Sequence, residues 1–260
     1  MSSVDDASFV KSSTLTRYRL APNPGPMSLD GTNSYVIGAP GSAGVVVVDP
    51  GPLDETHLAA LAASGAVELV LITHRHKDHT EASVRFRELT GAPVRAADPA
   101  HCHGGEPLRN GEVIQAAGVP IRVLSTPGHT SDSVCFHLPG DGPSGSVLTG
   151  DTILGRGTTV LDYPDGTLRD YLASLDVLEA LGPATLLPAH GPVLPAVDAV
   201  CREYRAHREM RLDQIRAALS RIGAQADVHA VTDAVYPDVD PSVRWAAETS
   251  VAAQLDYLRG

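Results

Sequence analysis

Short apolar segments alternate with glycine- and proline-rich turns along most of the chain. The unbroken valine run at 45–48 is typical of a strand that is buried on both faces. The segment at 34–38 precedes it across the turn at 39–42, so the two segments predict a β-hairpin. The same pattern predicts further strands at 67–73, 121–125, 134–138, 146–149 and 184–187.

Stretches with helical periodicity separate these strands. Helices are predicted at 54–63 and 168–181, and at 81–89 with Thr80 as the N-cap. Beyond about residue 195 the pattern becomes entirely helical, with segments at 197–219, 228–235 and 243–258. We therefore expect an α/β domain over residues 1–205 and a small helical appendage over residues 206–260.

Residues 73–79, with the sequence THRHKDH, crowd three imidazoles and one carboxylate together. These are ligand types that suit zinc, manganese or iron. Alternate residues of an extended chain point the same way, so His74 and His76 can face one cation. Asp78 and His79 follow in the turn and can face a second cation beside the first.

Further metal-type side chains come after later predicted strands. His129, Asp151 and His190 each follow the end of an apolar segment. Strand ends meet at one edge of a sheet, where short loops can converge on one point. The predicted ligand sets are His74, His76 and His129 for one cation and Asp78, His79 and His190 for the other. Asp151 can bridge the two cations because a carboxylate has two oxygens.

This arrangement predicts a binuclear hydrolase. Two adjacent cations would hold a bridging water and lower its pKa towards ~7, which gives a hydroxide nucleophile at neutral pH. Asp78 would ligate one cation and also orient the nucleophile or accept its proton. We expect two divalent metals, with zinc as the default and manganese or iron as alternatives.

Composition narrows the function classes. An apolar content of 43% over 260 residues supports a buried core, and a net charge of -11 with a pI of about 5.4 argues against a strong electrostatic grip on nucleic acid. Cys102, Cys135 and Cys201 form no disulfide pattern, which favours a reducing cytoplasm. The start of the chain lacks the pattern of a signal peptide, and no apolar run is long enough for a membrane span, so we expect a cytoplasmic protein without a membrane partner.

The motifs at 73–79, 126–129, 149–151 and 188–191 occur in an order and spacing that resemble the metallo-β-lactamase superfamily. The segments at 31–36 and 48–51 are also similar to that family. The resemblance covers roughly residues 15–200. It implies an αββα sandwich with two metals at one sheet edge.

A narrower resemblance is to the β-lactamase-like protein 2 group. It is carried by segments 150–160, 171–175 and 190–193, and then by Tyr204 and residues 207–208. It implies a small winged-helix-like C-terminal domain, which fits the helical tail, and the group includes enzymes that cut single-stranded RNA. Glyoxalase-type thioesterases share most of the metal motifs. Class B lactamases typically carry Cys at the position matching Asp151, which disfavours a dedicated β-lactamase.

Substrate contacts are predicted mainly in the segment 155–159, GRGTT. Backbone amides together with Arg156, Thr158 and Thr159 suit an anionic group, although a β-turn with a solvated arginine fits equally well. Asn33 could approach the site through the turn at 31–33, but a structural role in that turn is favoured. His207 has a substrate-side role by resemblance only.

The remaining histidines are expected to play no part in the site. His57 and His229 lie in predicted helices and are expected at the surface. His137 alternates with apolar residues and is expected on a strand face that points away from the core. The sequence HCH at 101–103 lacks further ligands nearby, so an ordinary loop is favoured over a second metal motif.

Three function classes remain open. A single-stranded RNA phosphodiesterase is favoured by the narrower resemblance. A thioester, ester or lactone hydrolase of the glyoxalase II type, or a weak β-lactam hydrolase, is favoured by the acidic composition. A metal-stabilised binding or regulatory protein is favoured only by the winged-helix-like tail.

The substrate would be a small molecule or single-stranded RNA. The last predicted helix carries Arg244 and Arg259 against Glu248 and Asp256, so it lacks the basic face of a DNA reader and no sequence-specific DNA binding is expected. We expect the tail to shape the substrate site or to contact a second copy of the chain in a homodimer.

Overall fold

Two β-sheets packed face to face form the centre of the computed structural model, which describes residues 9–260. The first sheet has the strand order β1 to β6, with β1 to β4 antiparallel and β4 to β6 parallel. Its strands are β1 (Val10–Lys11), β2 (Thr16–Leu20), β3 (Asn33–Ile37), β4 (Gly44–Val48), β5 (Ala66–Leu71) and β6 (Val94–Arg95).

The second sheet is antiparallel except at one edge, where its last two strands along the chain run parallel. Its strands are β7 (Val113–Ala116), β8 (Val119–Ser125), β9 (Val134–Leu138), β10 (Ser146–Gly150) and β11 (Thr185–Pro188), in the spatial order β11-β10-β9-β8-β7.

Helices cover the outer face of each sheet. They are α1 (Glu55–Ala62), α2 (Lys77–Thr80), α3 (Ser83–Thr90), α4 (Leu168–Glu179), α5 (Val197–Ile222), α6 (Val228–Val235) and α7 (Arg244–Arg259), with short 3-10 turns at Pro99–His101 and Pro241–Val243. The predicted helix at 81–89 is therefore replaced by α2 and α3. The helical turn begins earlier than expected, at Lys77, inside the histidine-rich segment.

The valine run explains how the layers pack. Val46 and Val48 point between the sheets, whereas Val45 and Val47 pack against α1 and α3 on the outer face. Successive side chains of a strand point to opposite faces, so a strand with an apolar layer on each side needs valine throughout. The expected α/β fold with an αββα sandwich is confirmed.

One of the two histidines expected at the surface is buried. His57 is on α1 but is only 1% exposed, and its Nε2 lies 2.9 Å from the hydroxyl of Ser34 on β3. The expectation of a surface residue is wrong because the imidazole lies on the face of α1 that packs on the first sheet. His229 on α6 is exposed, as expected.

The C-terminal region is helical, as expected. Helix α5 runs without a break through the predicted boundary between residues 205 and 206. Its first half packs with α4 against the second sheet, and its second half packs with α6 and α7 around Ile215, Val231 and Val251. Residues 223–260 form no strand, and the likeness to a winged helix and the division into domains stay predictions.

None of the helices between residues 9 and 260 is both long enough and apolar enough to cross a bilayer.

Candidate metal centre

The ends of four strands bring all seven predicted metal ligands to one edge of the sandwich. The chain leaves β5 directly into His74 and His76, and the short helix α2 carries Asp78 and His79. The other three predicted ligands, His129, Asp151 and His190, follow β8, β10 and β11. Their donor atoms form overlapping groups in which all atoms lie within 4.8 Å of one another.

The first group consists of three imidazoles. The Nε2 atom of His74 and the Nε2 atom of His129 each lie 3.1 Å from the Nδ1 atom of His76. Nitrogen ligands at 2.0–2.1 Å from a tetrahedral zinc are separated by roughly 3.3 Å. The three nitrogens therefore have the spacing that one cation requires.

The second group contains one carboxylate and two imidazoles. An oxygen of Asp78 lies 3.2 Å from Nε2 of His190 and 3.6 Å from Nε2 of His79. These distances also match donors that share a single cation.

Asp151 lies between the two groups. Its Oδ1 atom is 3.3 Å from Nε2 of His190 and 3.6 Å from Nε2 of His79, whereas its Oδ2 atom is 3.8 Å from Nε2 of His129. Each oxygen thus faces a different group, which is the geometry of a bridging carboxylate.

Three buried atoms of this cluster lack any hydrogen-bond partner. They are Nε2 of His79, Nε2 of His190 and Oδ1 of Asp151. A buried polar atom without a partner costs roughly 1–3 kcal/mol, and three such atoms converge here on one point. A cation would satisfy all three, so these residues fit a divalent metal.

The far side of each imidazole is held by the protein. Nδ1 of His190 donates to the carbonyl of Gly31 at 3.0 Å, and Nδ1 of His129 donates to the carbonyl of Val160 at 2.6 Å. His76 is turned the other way, with Nε2 3.2 Å from a carboxylate oxygen of Asp162. Each of these contacts aims the opposite nitrogen at the centre, where binding of a cation would require it to be deprotonated.

Asp49 is the most buried of the carboxylates that support the cluster, with 1% exposure. It lies 2.8 Å from Nδ1 of His79 and accepts hydrogen bonds from the amide and the hydroxyl of Thr73 at 2.8 and 2.7 Å. The hydroxyl of Thr73 in turn lies 3.1 Å from Nδ1 of His74. One carboxylate therefore orients a member of each group.

Asp49 and Asp162 belong to the site but were not among the residues predicted from the sequence. Asp49 directly follows the valine strand β4, so the rule that located the other residues at strand ends could have found it. Asp162 lies in an irregular segment between β10 and α4, where no local pattern marks it.

The two groups differ in charge. Burial lowers the pKa of His129 to about 4 and that of His74 well below its ordinary value, so both are neutral at pH 7. Burial also opposes a charge on His79 and His190, but nearby carboxylates outweigh it. Asp78 and Asp49 raise the pKa of His79 to about 9, and Asp151 raises that of His190 to about 11. The second group therefore has the stronger negative field.

A cavity of about 220 Å³ opens onto the cluster beside His129 and Asp151. The predicted substrate residues Arg156, Thr158 and Thr159 line it. The guanidinium of Arg156 is bound to both carboxylate oxygens of Asp30 at 2.7 and 2.9 Å. The side chain of Thr159 instead points to the backbone and donates to the carbonyl of Asp151 at 2.8 Å.

Two other predicted substrate residues lie outside this cavity lining. The amide of Asn33 donates to the carbonyls of Pro188 and Gly191 at 3.0 and 2.9 Å, on either side of His190. The favoured structural role of Asn33 therefore has a direct basis. His207 lies on α5, where burial and then Arg208 lower the pKa of its imidazole.

Comparison with known proteins agrees with this geometry. Residues 27–190 match the profile of the family described as the metallo-beta-lactamase superfamily. An atrochrysone carboxyl ACP thioesterase of Aspergillus chevalieri is 35% identical over 77% of this chain and 64% of its own length. A beta-lactamase-like protein 2 homolog of Caenorhabditis elegans is 31% identical over 92% of this chain and 82% of its own length.

The fold likeness extends over the C-terminal helices. A beta-lactamase domain protein from Burkholderia ambifaria aligns with 99% of this chain and 90% of its own, with a TM-score of 0.80 and 22% identity. The chain spans about 60 to 65% of the length of the fungal relatives it matches. With the family profile covering most of the sandwich and all seven predicted ligands, the chain belongs to the metallo-β-lactamase superfamily.

Proposed function

We propose that the protein is a binuclear metal hydrolase that cleaves acyl thioesters or related esters. The observation that carries the proposal is a small cavity with a largely apolar wall that opens onto the donor cluster at His129 and Asp151. One cation would lie among His74, His76 and His129, the other among Asp78, His79 and His190, and Asp151 would bridge them.

The cavity suits an acyl group better than a polynucleotide. Pro26, Met27, Leu29 and Leu154 supply its apolar wall. Its volume of about 220 Å³ is below the range of roughly 300–1,000 Å³ that holds drug-sized ligands. A short acyl chain would fill this space and leave its carbonyl near His129 and Asp151.

The charges at the cavity argue against a long phosphate backbone. Arg156 is the one cation among the residues that line the cavity, and it is already paired with Asp30. A protein that binds nucleic acid through several phosphates needs a lysine or arginine for each contact. A single paired arginine instead fits one anionic group on a small substrate or on a carrier-bound acyl chain.

The fungal thioesterase relative supports the same substrate class. Its name specifies an acyl group held on a carrier protein, and it shares 35% identity with most of this chain.

The side chains at the site would have different roles. A bound pair of divalent cations supplies Lewis acidity and an activated water at neutral pH. Asp78 is the more exposed of the two central carboxylates, with 31% of its side chain exposed against 11% for Asp151. Burial tends to raise the pKa of Asp78, but His79 and His190 lower it to about 2, so the carboxylate holds a proton poorly. We infer that Asp78 orients the nucleophile and that Arg156 binds the anionic part of the substrate.

We propose zinc as the metal because five imidazoles and two carboxylates suit it, while manganese and iron tolerate the same ligands. Elemental analysis of protein purified without added metal tests this choice. About two equivalents of zinc are expected, and a stoichiometric content of manganese or iron would replace zinc in the proposal.

A panel assay tests the substrate class. The metal-loaded protein would be incubated with acyl thioesters of increasing chain length, with esters, lactones and β-lactams, and with a labelled single-stranded RNA. We expect thioester hydrolysis that is lost in Asp151→Ala, while Asp176→Ala, which changes an exposed carboxylate, keeps the wild-type rate. RNA cleavage that depends on Asp151, with no thioester turnover, would contradict the proposal.

A single-stranded RNA phosphodiesterase is the second candidate. The resemblance to the β-lactamase-like protein 2 group favours it, and the Caenorhabditis elegans homolog of that name matches 92% of this chain. The two candidates differ in salt dependence: binding through several phosphates weakens steeply with ionic strength, whereas binding of an acyl group does not. Bound protein or DNA without turnover would indicate the third class, a binding or regulatory protein.

Two further proposals concern the localisation of the protein and its association with a second copy. All three cysteines are free thiols, two of them buried, which supports a reducing compartment such as the cytoplasm. A homodimer through the C-terminal helices is tested by light scattering of the purified chain, in which a monomer mass would exclude it.

A further inference from the structure

Arg208 on α5 is a buried cation that the proposed chemistry does not use. Arg208 is 3% exposed, and its Nη2 atom donates to the carbonyl of Thr159. The guanidinium carbon lies 4.9 Å from the centre of the Tyr171 ring, and the Nε atom has no hydrogen-bond partner. No carboxylate in the described part of the chain forms an ion pair with it, so a stabilising role through a salt bridge does not explain its burial.

Neighbouring arginines on the same helix behave differently. Arg202 pairs with Glu179 and Asp198, and Arg205 pairs with Asp176, all near the surface. Removing a guanidinium from water without a counter-charge costs several kcal/mol. Of these three arginines, Arg208 is the one that is buried without a carboxylate partner, so its burial needs another explanation.

The backbone that Arg208 holds connects three of the predicted metal ligands. The segment 159–162 begins at Thr159, whose hydroxyl donates to the carbonyl of Asp151 at 2.8 Å. Its next carbonyl, from Val160, accepts the 2.6 Å hydrogen bond from Nδ1 of His129. The amide of Asp162 then donates to the carbonyl of His129 at 2.9 Å, and its carboxylate lies 3.2 Å from His76.

The same helices hold the loop after β10 at two more points. The hydroxyl of Tyr171 on α4 donates to the carbonyl of Thr152 at 2.7 Å. The hydroxyl of Tyr204 on α5 accepts from the amide of Leu154 at 3.0 Å and donates to its carbonyl at 3.2 Å. Arg208 thus lies in a polar contact layer between the outer helices and the backbone around Asp151.

We propose that Arg208 is a positioning residue for the metal centre. Its guanidinium fixes the segment 159–162 from α5 and so keeps His129 and Asp151 in the orientation that brings the two donor groups together. The inference depends on metal binding at the proposed centre and not on the identity of the substrate.

Metal affinity measured without substrate tests this role. Arg208→Met keeps the length of the side chain but removes the charge and the donor, and Arg208→Lys restores the charge without the planar fork. Substitution of a residue that holds a metal ligand in place typically lowers metal affinity by about 10–100-fold. Because Arg208 acts through the backbone, we expect Arg208→Met to weaken zinc binding by about tenfold, with Arg208→Lys in between. Arg205→Met, one turn away and paired at the surface, is the matched control and is expected to bind zinc like the wild type.

Competition with a chromophoric chelator gives the zinc affinity, and the visible spectrum of the cobalt-substituted protein reports ligand geometry. A purely structural role for Arg208 would lower the melting temperature of the metal-free protein but leave the zinc affinity and the cobalt spectrum unchanged. That result would overturn the proposal. If Arg208→Met fails to fold, Arg208→Lys carries the same test, and wild-type zinc affinity in that variant would equally overturn it. Failure of every substrate assay would leave this measurement unaffected.

Discussion

The metal-ligand cluster and the mouth of the cavity that opens onto it differ in how their side chains are held. In the cluster, His79 and His190 have fully buried side chains, and each has its Nδ1 atom fixed by a partner from another part of the chain. At the mouth, Met27 is 40% exposed, and the Arg156–Asp30 pair is more than half exposed on both sides. The chemistry is therefore set by buried side chains with fixed partners, whereas substrate choice depends on exposed side chains.

Asp151→Ala should have the largest effect because it removes the one carboxylate shared by both groups. Turnover should fall below detection and both metals should bind more weakly, while the fold is retained. Metal content, activity and circular dichroism on the same sample would check this. Wild-type rates at matched metal content would refute the bridging role.

Asp49→Asn alters the support behind His79 without replacing a predicted ligand. The amide keeps the volume but presents an NH₂ group or a weaker acceptor towards His79, so the imidazole loses its fixed orientation. Metal affinity of the carboxylate-containing group should fall by about 10–100-fold. Two-site titration calorimetry would detect it. Equal weakening at both groups would show that the hydroxyl of Thr73 transmits the change to His74.

His57 tests whether burial of an imidazole is sufficient to make it part of the site. It is buried like the predicted ligands but lies alone against Ser34. Burial, and then Arg19, lowers its pKa to about 4. Because the unfolded chain then binds the proton more tightly, stability should be unaffected above pH 6.5 and should fall as the pH drops towards 4.

The loss attributable to His57 should be about 2 kcal/mol between pH 6.5 and pH 5. Denaturant unfolding of the metal-free protein at these two pH values, compared with His57→Gln, isolates this contribution. The variant should lose less stability on acidification and should bind zinc normally. A pH dependence that is identical in both proteins would contradict the assignment of a low pKa.

Arg156→Ala changes the mouth and should have the smallest effect. An exposed arginine contributes modestly to binding, so KM for an anionic substrate should rise by about two- to tenfold with kcat unchanged. Asp30→Ala is the opposite control, because it frees Arg156 and should lower KM for the same substrate. A large fall in kcat in Arg156→Ala would place this residue in the chemistry instead.

The contrast between the metal-ligand cluster and the mouth of the cavity also explains which residues of the site could be predicted from the sequence. The metal-type residues were identifiable because each follows an apolar strand, and strand ends converge wherever the sheets pack. Asp49 obeys the same rule and could have been found. Asp162 and Arg208 could not, because they act through contacts between distant segments that have no periodic pattern.

Two differences between the predicted and the observed fold have similar causes. Strands β1, β2, β6 and β7 were not predicted, because half-exposed or very short strands lack a strong apolar pattern. His57 was placed at the surface because helical periodicity gives a buried face without fixing which side of the helix meets the sheet. Substrate choice was left open by the sequence for the reason seen in the structure, since the mouth is formed by exposed loop residues.

A crystal structure of the zinc-loaded protein with anomalous difference maps at the zinc edge would test the central claim most directly. Two peaks about 3.5–4 Å apart are expected, one among His74, His76 and His129 and the other among Asp78, His79 and His190, with Asp151 between them. A single peak, or two peaks away from these side chains, would contradict a binuclear centre at this edge of the sandwich.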